Sequence, residues 1–172
     1  DHTETARDAV KTLLPNYDGV VVRSRMPMDE DLLQHATALK FIARSGAGME
    51  NIDIPYCENR DITLFNAPEG NRDAVGEQAI GMLLALFNKL LQADAQVRKG
   101  IWDREGNRGY ELGGKTVGII GYGNNGSAFA RKLSGFDCTV LAYDKYKSGF
   151  GSDQVEEVEM NAIFDRADIL SF

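Results

Sequence analysis

Thr116-Val117-Gly118-Ile119-Ile120-Gly121-Tyr122-Gly123-Asn124-Asn125-Gly126 is an apolar run that ends in G-x-G-x-x-G and passes into a helical pattern. Strand, glycine turn and helix in this order form the dinucleotide-binding turn of a parallel α/β sheet. Gly121 permits the tight turn, Gly123 lets the backbone approach a pyrophosphate, and Gly126 lets the helix lie close to the strand. The free N–H groups and positive dipole end of that helix face the phosphates. A second apolar run, Cys138 to Tyr143, ends in Asp144, eighteen residues after Gly126. An acidic residue at about that distance binds the ribose 2′-hydroxyl of NAD and repels the extra phosphate of NADP. The expected cofactor is therefore NAD, held by Gly121, Tyr122, Gly123, Asn124, Asn125, Gly126 and Asp144. Lys145 and Lys147 leave NADP, or a merely solvated loop carboxylate, as alternatives.

Outside this motif, composition narrows the classes. The 172 residues are 43% hydrophobic and 26% charged, which suits a packed globular core of one or two domains. A net charge of −7 argues against nucleic acid and against an anionic membrane surface as partners. No apolar run approaches the roughly 18 residues of a membrane span. The opening Asp1-His2-Thr3-Glu4 does not read as a signal peptide. Cys57 and Cys138 have no metal spacing and form no C-x-x-C, so no metal site is expected and a reduced, cytoplasmic setting is the simplest fit. Cys138 opens an apolar strand and is expected to be buried.

Strands alternating with short helices predict a parallel α/β sheet upstream as well. Helices are expected over 5–14, closed by Pro15, and over 29–38 and 54–59. Strands are expected over 20–22, where the run of valines reads as buried, and over 39–43 and 62–66. Asn71 can cap a long helix in which Val75, Ala79, Met82, Leu83, Leu86, Leu90, Ala93 and Val97 recur at helical spacing, with a break near Asn88. Arg98-Lys99-Gly100 ends it. Residues 102–114 and 145–154 read as loops, 155–158 as a short strand and 160–167 as a short helix. The apolar run 167–172 reads as a buried strand. The expected fold class is α/β, with two Rossmann-like doubly wound parallel-sheet domains, both incomplete. One covers 1–70 and the other, half a nucleotide domain, covers 71–172. The chain reads as a fragment cut at both ends.

Small residues in Ser45-Gly46-Ala47-Gly48 expose successive backbone N–H groups at a strand end, which makes either an anion cradle or a plain glycine-rich turn. Arg23 also ends a strand and can meet a carboxylate or phosphate bidentately, although a solvated surface role is commoner for any one arginine. Arg25, Arg44 and Arg72 have weaker claims. Glu77, among apolar neighbours, reads as a helix-surface carboxylate.

Five stretches together carry a resemblance. They are Val22-Arg23-Ser24, Arg44 to Asp53 (R-S-G-A-G-M-E-N-I-D), Asn66 to Glu77 (N-A-P-E-G-N-R-D-A-V-G-E), Gly100-Ile101-Trp102, and Glu111 to Gly121 (E-L-G-G-K-T-V-G-I-I-G). In this order and spacing the chain resembles the D-isomer-specific 2-hydroxyacid dehydrogenases, most closely their phosphoglycerate dehydrogenase branch. The resemblance covers nearly the whole chain. It implies a substrate-binding domain, flavodoxin-like and lacking its first strand, over 1–70, a nucleotide-binding domain from Asn71 on, and an active site in the cleft between them. It implies hydride transfer between NAD and C2 of a small-molecule 2-hydroxy or 2-oxo acid, and a homodimer paired through the nucleotide domain. It places Arg23, Ser24, Ser45, Gly46, Ala47, Gly48 and Asn71 at the substrate. Its histidine, glutamate and arginine of catalysis fall beyond Phe172, and neither His2 nor His35 matches that histidine, so no catalytic residue is assigned here. Gly76 stands where the family usually has Ala, and Asn125 where it usually has an aliphatic residue. The alternatives are a non-catalytic NAD-sensing corepressor on the same fold, and a relative acting on formate or glyoxylate.

Overall fold

In a computed structural model describing residues 1–172, the chain forms two units, Asp1–Asn71 and Arg72–Phe172. In the first, α1 (Arg7–Leu13) and a 3-10 turn (Leu14–Asn16) lead to β1 (Gly19–Val22), α2 (Glu30–Leu33), β2 (Phe41–Arg44), α3 (Ile54–Asn59) and β3 (Thr63–Phe65). The strands are parallel in the order β1-β2-β3, with Gly19 opposite Phe41 and Phe41 opposite Thr63. The α-helix ends at Leu13, ahead of Pro15 as expected, and Pro15 sits inside the 3-10 turn that follows, where a missing N–H costs little. The Asp29 carboxylate caps α2 through Leu32 N–H at 3.1 Å. That helix lasts a single turn, against the expected 29–38. Past Gln34 the backbone tightens to i→i−3 bonds, His35 to Leu32 and Ala36 to Leu33, which still bury Leu32, Leu33 and Ala36. The valines of β1 are not uniformly buried. Strand alternation turns Val21 outward, 75% exposed, while Val20 and Val22 pack on a core of Leu32, Leu33, Ile42 and Cys57.

The second unit begins with α4 (Arg72–Phe87) and α5 (Leu90–Val97), bent by 59°. The expected break near Asn88 falls at Lys89, whose φ of +51° is left-handed. Lys89 Nζ donates to Gly106 O at 2.9 Å, and Tyr110 N–H to Phe87 O at 3.1 Å, so the corner also carries the following loop. Helical spacing here does not mark one buried face. Val75, Ala79 and Leu83 turn partly inward, but Met82 and Leu86 are exposed. No single helix is long and apolar enough to cross a membrane.

Next come β4 (Thr116–Ile120), α6 (Asn124–Leu133), β5 (Thr139–Tyr143), β6 (Glu156–Glu157), α7 (Met160–Arg166) and β7 (Ile169–Ser171). All four strands are parallel, in the order β6-β5-β4-β7. The chain starts in the middle, winds outward to β6, then returns to the other side of β4. That reversal is the switch point of a doubly wound sheet, and ligands bind beyond the strand ends there. β7 is less buried than its apolar run suggested, because as an edge strand it leaves Leu170 exposed. Cys138 is half-buried rather than buried, just ahead of β5, with its Sγ 3.8 Å from Leu133 O.

Glycines set the layer spacing. A Cβ at Gly76 would press on the α6 backbone at Ala128 and Phe129, 3.1–3.2 Å away, so α4 and α6 touch main chain to main chain. On β4, a Cβ at Gly118 would stand 2.6 Å from Ile163 and 2.9 Å from Ala167. Gly118→Val is expected to cost about 1–3 kcal/mol by overpacking α7, read as a lowered urea midpoint with an unchanged m-value.

Candidate functional site

The glycine turn lies at the switch point. Gly121 follows β4 with φ +101°, and its N–H donates to Tyr143 O at 2.7 Å, which aligns the ends of β4 and β5. A Cβ at Gly126 would collide with the Gly121 carbonyl. A Cβ at Gly123 would meet no protein atom within 4 Å, so the backbone there faces open space. No side chain caps α6 at Gly123, and the first N–H to bond back is that of Ser127, 3.0 Å from Gly123 O. The N–H groups of Asn124, Asn125 and Gly126 are thus left for an anion. Asn125 is exposed, so its polar side chain disturbs no packing.

Asp144 stands at the end of β5 against this turn. Its Oδ2 accepts from Tyr122 N–H at 2.7 Å, and its Oδ1 from Tyr146 N–H at 2.8 Å and Lys147 N–H at 3.0 Å. The Tyr146 N–H, followed by those of Tyr122 and Lys147, holds the carboxyl below its ordinary range against some desolvation. Three of roughly four acceptor positions are in use, which leaves one on Oδ2 for a hydroxyl donor. The sequence-predicted cofactor residues therefore come together, and Asp144 also braces the turn. Two neighbours gave no signal of their own. Tyr122 stacks on Phe150, with ring centroids 4.4 Å apart and planes at 19°. Glu157 accepts from the N–H groups of Gly149, Phe150 and Gly151. The only hint was the pair Gly149 and Gly151 in a segment read as loop.

In the first unit, Arg23, Ser24 and Ser45 line one cavity of about 890 Å³ beside β1, with Arg25, Val20, Val22 and Met28 in its wall. Arg23, Ser24 and Ser45 are all exposed. The expected cradle at 45–48 is only half open. Ser45 and Gly46 already donate to Val22 O and Arg44 O, while the Ala47 and Gly48 N–H groups have no protein acceptor. The Arg44 guanidinium lies over Gly46 and donates to Ser45 O at 3.2 Å, and the Glu50 carboxylate lies against Gly48. The loop thus carries one charge of each sign. Asn71 is exposed immediately before α4. His35 is exposed, and His2 sits within 3.3 Å of the Tyr17 hydroxyl, away from any acid–base pair. Glu77 is a surface carboxylate that meets Lys132 at 3.0 Å.

Residues 80–172 match the NAD binding domain of the D-isomer specific 2-hydroxyacid dehydrogenases. The chain belongs to that family. D-3-phosphoglycerate dehydrogenase of Archaeoglobus fulgidus is 37% identical over 171 residues, 98% of this chain and 32% of the relative. Hydroxypyruvate reductase of Thermotoga maritima is 33% identical over 99% of this chain and 55% of its own length. This member of the D-2-hydroxyacid dehydrogenase family thus spans between a third and about half of these relatives. Its fold is that of D-lactate dehydrogenase from Aquifex aeolicus complexed with NAD and lactic acid, at TM-score 0.84 and 24% identity over 98% of this chain and 50% of that one. The glycine turn suits that cofactor on its own geometry, with the open face over Gly123, the free amides of α6 and the spare acceptor of Asp144.

Proposed function

We propose that the protein is an NAD-dependent oxidoreductase acting at C2 of a D-2-hydroxy acid, with 3-phosphoglycerate the favoured substrate. The observation that carries this is the glycine turn braced by Asp144 at the switch point of the β6-β5-β4-β7 sheet. Gly121 to Gly126 would hold the pyrophosphate and Asp144 the adenosine ribose. NAD, when bound, supplies a nicotinamide ring that accepts or returns the hydride. In the first unit, the substrate-binding domain of this proposal, Arg23, Ser24 and the free amides of Ala47 and Gly48 would hold the substrate's anionic groups, with Asn71 beside them. The relatives' names support the class, and phosphoglycerate dehydrogenase recurs among them. The two free thiols fit a reducing cytoplasm. The sensor alternative has no observation in its favour. The test is NADH formation by the full-length polypeptide with a panel of D-2-hydroxy acids. Turnover fastest with 3-phosphoglycerate is expected. A folded protein that binds NAD and turns over none of the panel overturns the proposal.

The same proposal includes a homodimer formed through the second unit. Met82, Leu86, Leu91, Val97 and Trp102 leave apolar surface on α4, α5 and the chain after them, with Leu91 82% and Trp102 84% exposed. A two-fold pairing buries each residue twice. Leu91→Glu is expected to weaken the dimer by at least about 3 kcal/mol, since each Leu contributes roughly 1.5–3 kcal/mol. Sedimentation velocity should show dimer for wild type and monomer for the variant. A monomeric wild type overturns the pairing.

A further inference from the structure

We propose that Glu157 is a positioning residue for the nucleotide site, acting through Phe150. The proposal rests on NAD binding at the glycine turn. Successive side chains of a strand point to opposite faces, and β6 uses both. Glu156 pairs bidentately with Arg166 of α7, at 2.7 and 2.6 Å. Glu157 turns the other way and gathers three consecutive N–H groups, Gly149 at 3.0 Å, Phe150 at 2.7 Å and Gly151 at 3.1 Å. Gly149 makes this convergence possible with its left-handed φ of +72°. The loop is closed behind by the reciprocal Ser152–Val155 bonds. Such a concave run of amides is an anion site, and here the chain fills it with its own carboxylate.

The consequence reaches the cofactor turn. With the 149–151 amides pinned, Phe150 is pressed flat on Tyr122, the second residue of the G-x-G-x-x-G. The Tyr122 N–H in turn holds Asp144 Oδ2 at 2.7 Å. One unbroken series of contacts therefore runs from Glu157 through two stacked rings to the carboxylate assigned to the ribose. The series ends at the carboxylate assigned to the ribose, so the effect belongs to nucleotide binding and not to the hydride step.

Glu157→Gln replaces one acceptor oxygen with an NH2 group that faces the backbone donors. In the full-length protein it is expected to raise the NAD Kd about tenfold, or ~1.4 kcal/mol, by calorimetry. ADP-ribose should lose the same factor, and kcat at saturating NAD should stay unchanged. The near-UV circular dichroism of the cofactor-free protein should lose its Tyr122–Phe150 contribution. Phe150→Leu should give a similar loss, and the double variant no more than either alone. Glu156→Gln, on the opposite face, should leave NAD affinity as it was. Wild-type affinity in Glu157→Gln, additive losses in the double variant, or an equal loss in Glu156→Gln would overturn the positioning role. A folded wild type that fails to bind NAD overturns the cofactor reading along with it.

Discussion

Gly126→Ala protein should bind NAD at least about 100-fold more weakly than wild type, because the new methyl forces the turn apart at a cost of roughly 3 kcal/mol. The methyl would lie on the Gly121 carbonyl and within 3.2 Å of Ile119, so α6 must move off β4. The same displacement re-aims the Asn124, Asn125 and Gly126 amides, and it should lower the melting temperature of the second unit. Gly123→Ala makes the contrast. Its methyl meets no protein atom within 4 Å, so stability should hold while binding falls, the group standing where a pyrophosphate must approach. Calorimetric titration with NAD beside thermal unfolding separates the two. Equal melting temperatures for wild type and Gly126→Ala would contradict the collision.

Asp144→Ala should both weaken NAD and lift the bar against NADP. The carboxylate makes three hydrogen bonds to backbone N–H groups, so its loss leaves donors unmet besides removing the ribose acceptor. An increase in NAD Kd of about 30- to 150-fold is expected, with the NAD-to-NADP preference falling by a larger factor than NADP affinity itself falls. Asp144→Asn keeps an acceptor but loses the charge, and should recover part of the NAD affinity without the discrimination. A variant that still rejects NADP as wild type does would remove Asp144 from that role. The pH dependence has a definite sign. Backbone donors lower the folded-state pKa, so the contribution of Asp144 to stability is complete above the unfolded value of about 3.9 and is lost as pH falls through the lower folded value. This group should therefore leave NAD affinity flat above roughly pH 5.

The turn from Gly121 to Gly126 and the strand before it were readable because each glycine answers a local steric demand. Asp144 followed from its distance along the chain. Other features depend on contacts distant in sequence. The α-helical part of α2 lasts one turn, and the i→i−3 bonds after it carry Ala36 into the core. Apolar spacing in α4 and α5 does not tell a face turned to the protein from one turned outward. Val21 and Leu170 are apolar on edge strands, where alternation decides exposure. At 45–48 small residues announced a cradle, but the Arg44 and Glu50 charges on it come from folding the loop back. Nothing in the sequence around Glu157 distinguishes it from other surface carboxylates; its role comes from the 149–151 amides that converge on it.

Lys89 joins two roles in one residue. Its left-handed backbone sets the direction in which α5 leaves α4, and its ammonium, on Gly106 O, fixes the loop that follows. Glycine would suit the backbone better by about 1 kcal/mol but would release the loop. Lysine keeps the loop and carries the strain. The shape of the corner and the placement of that loop therefore hang on a single side chain, and a substitution at this position that improves one gives up the other.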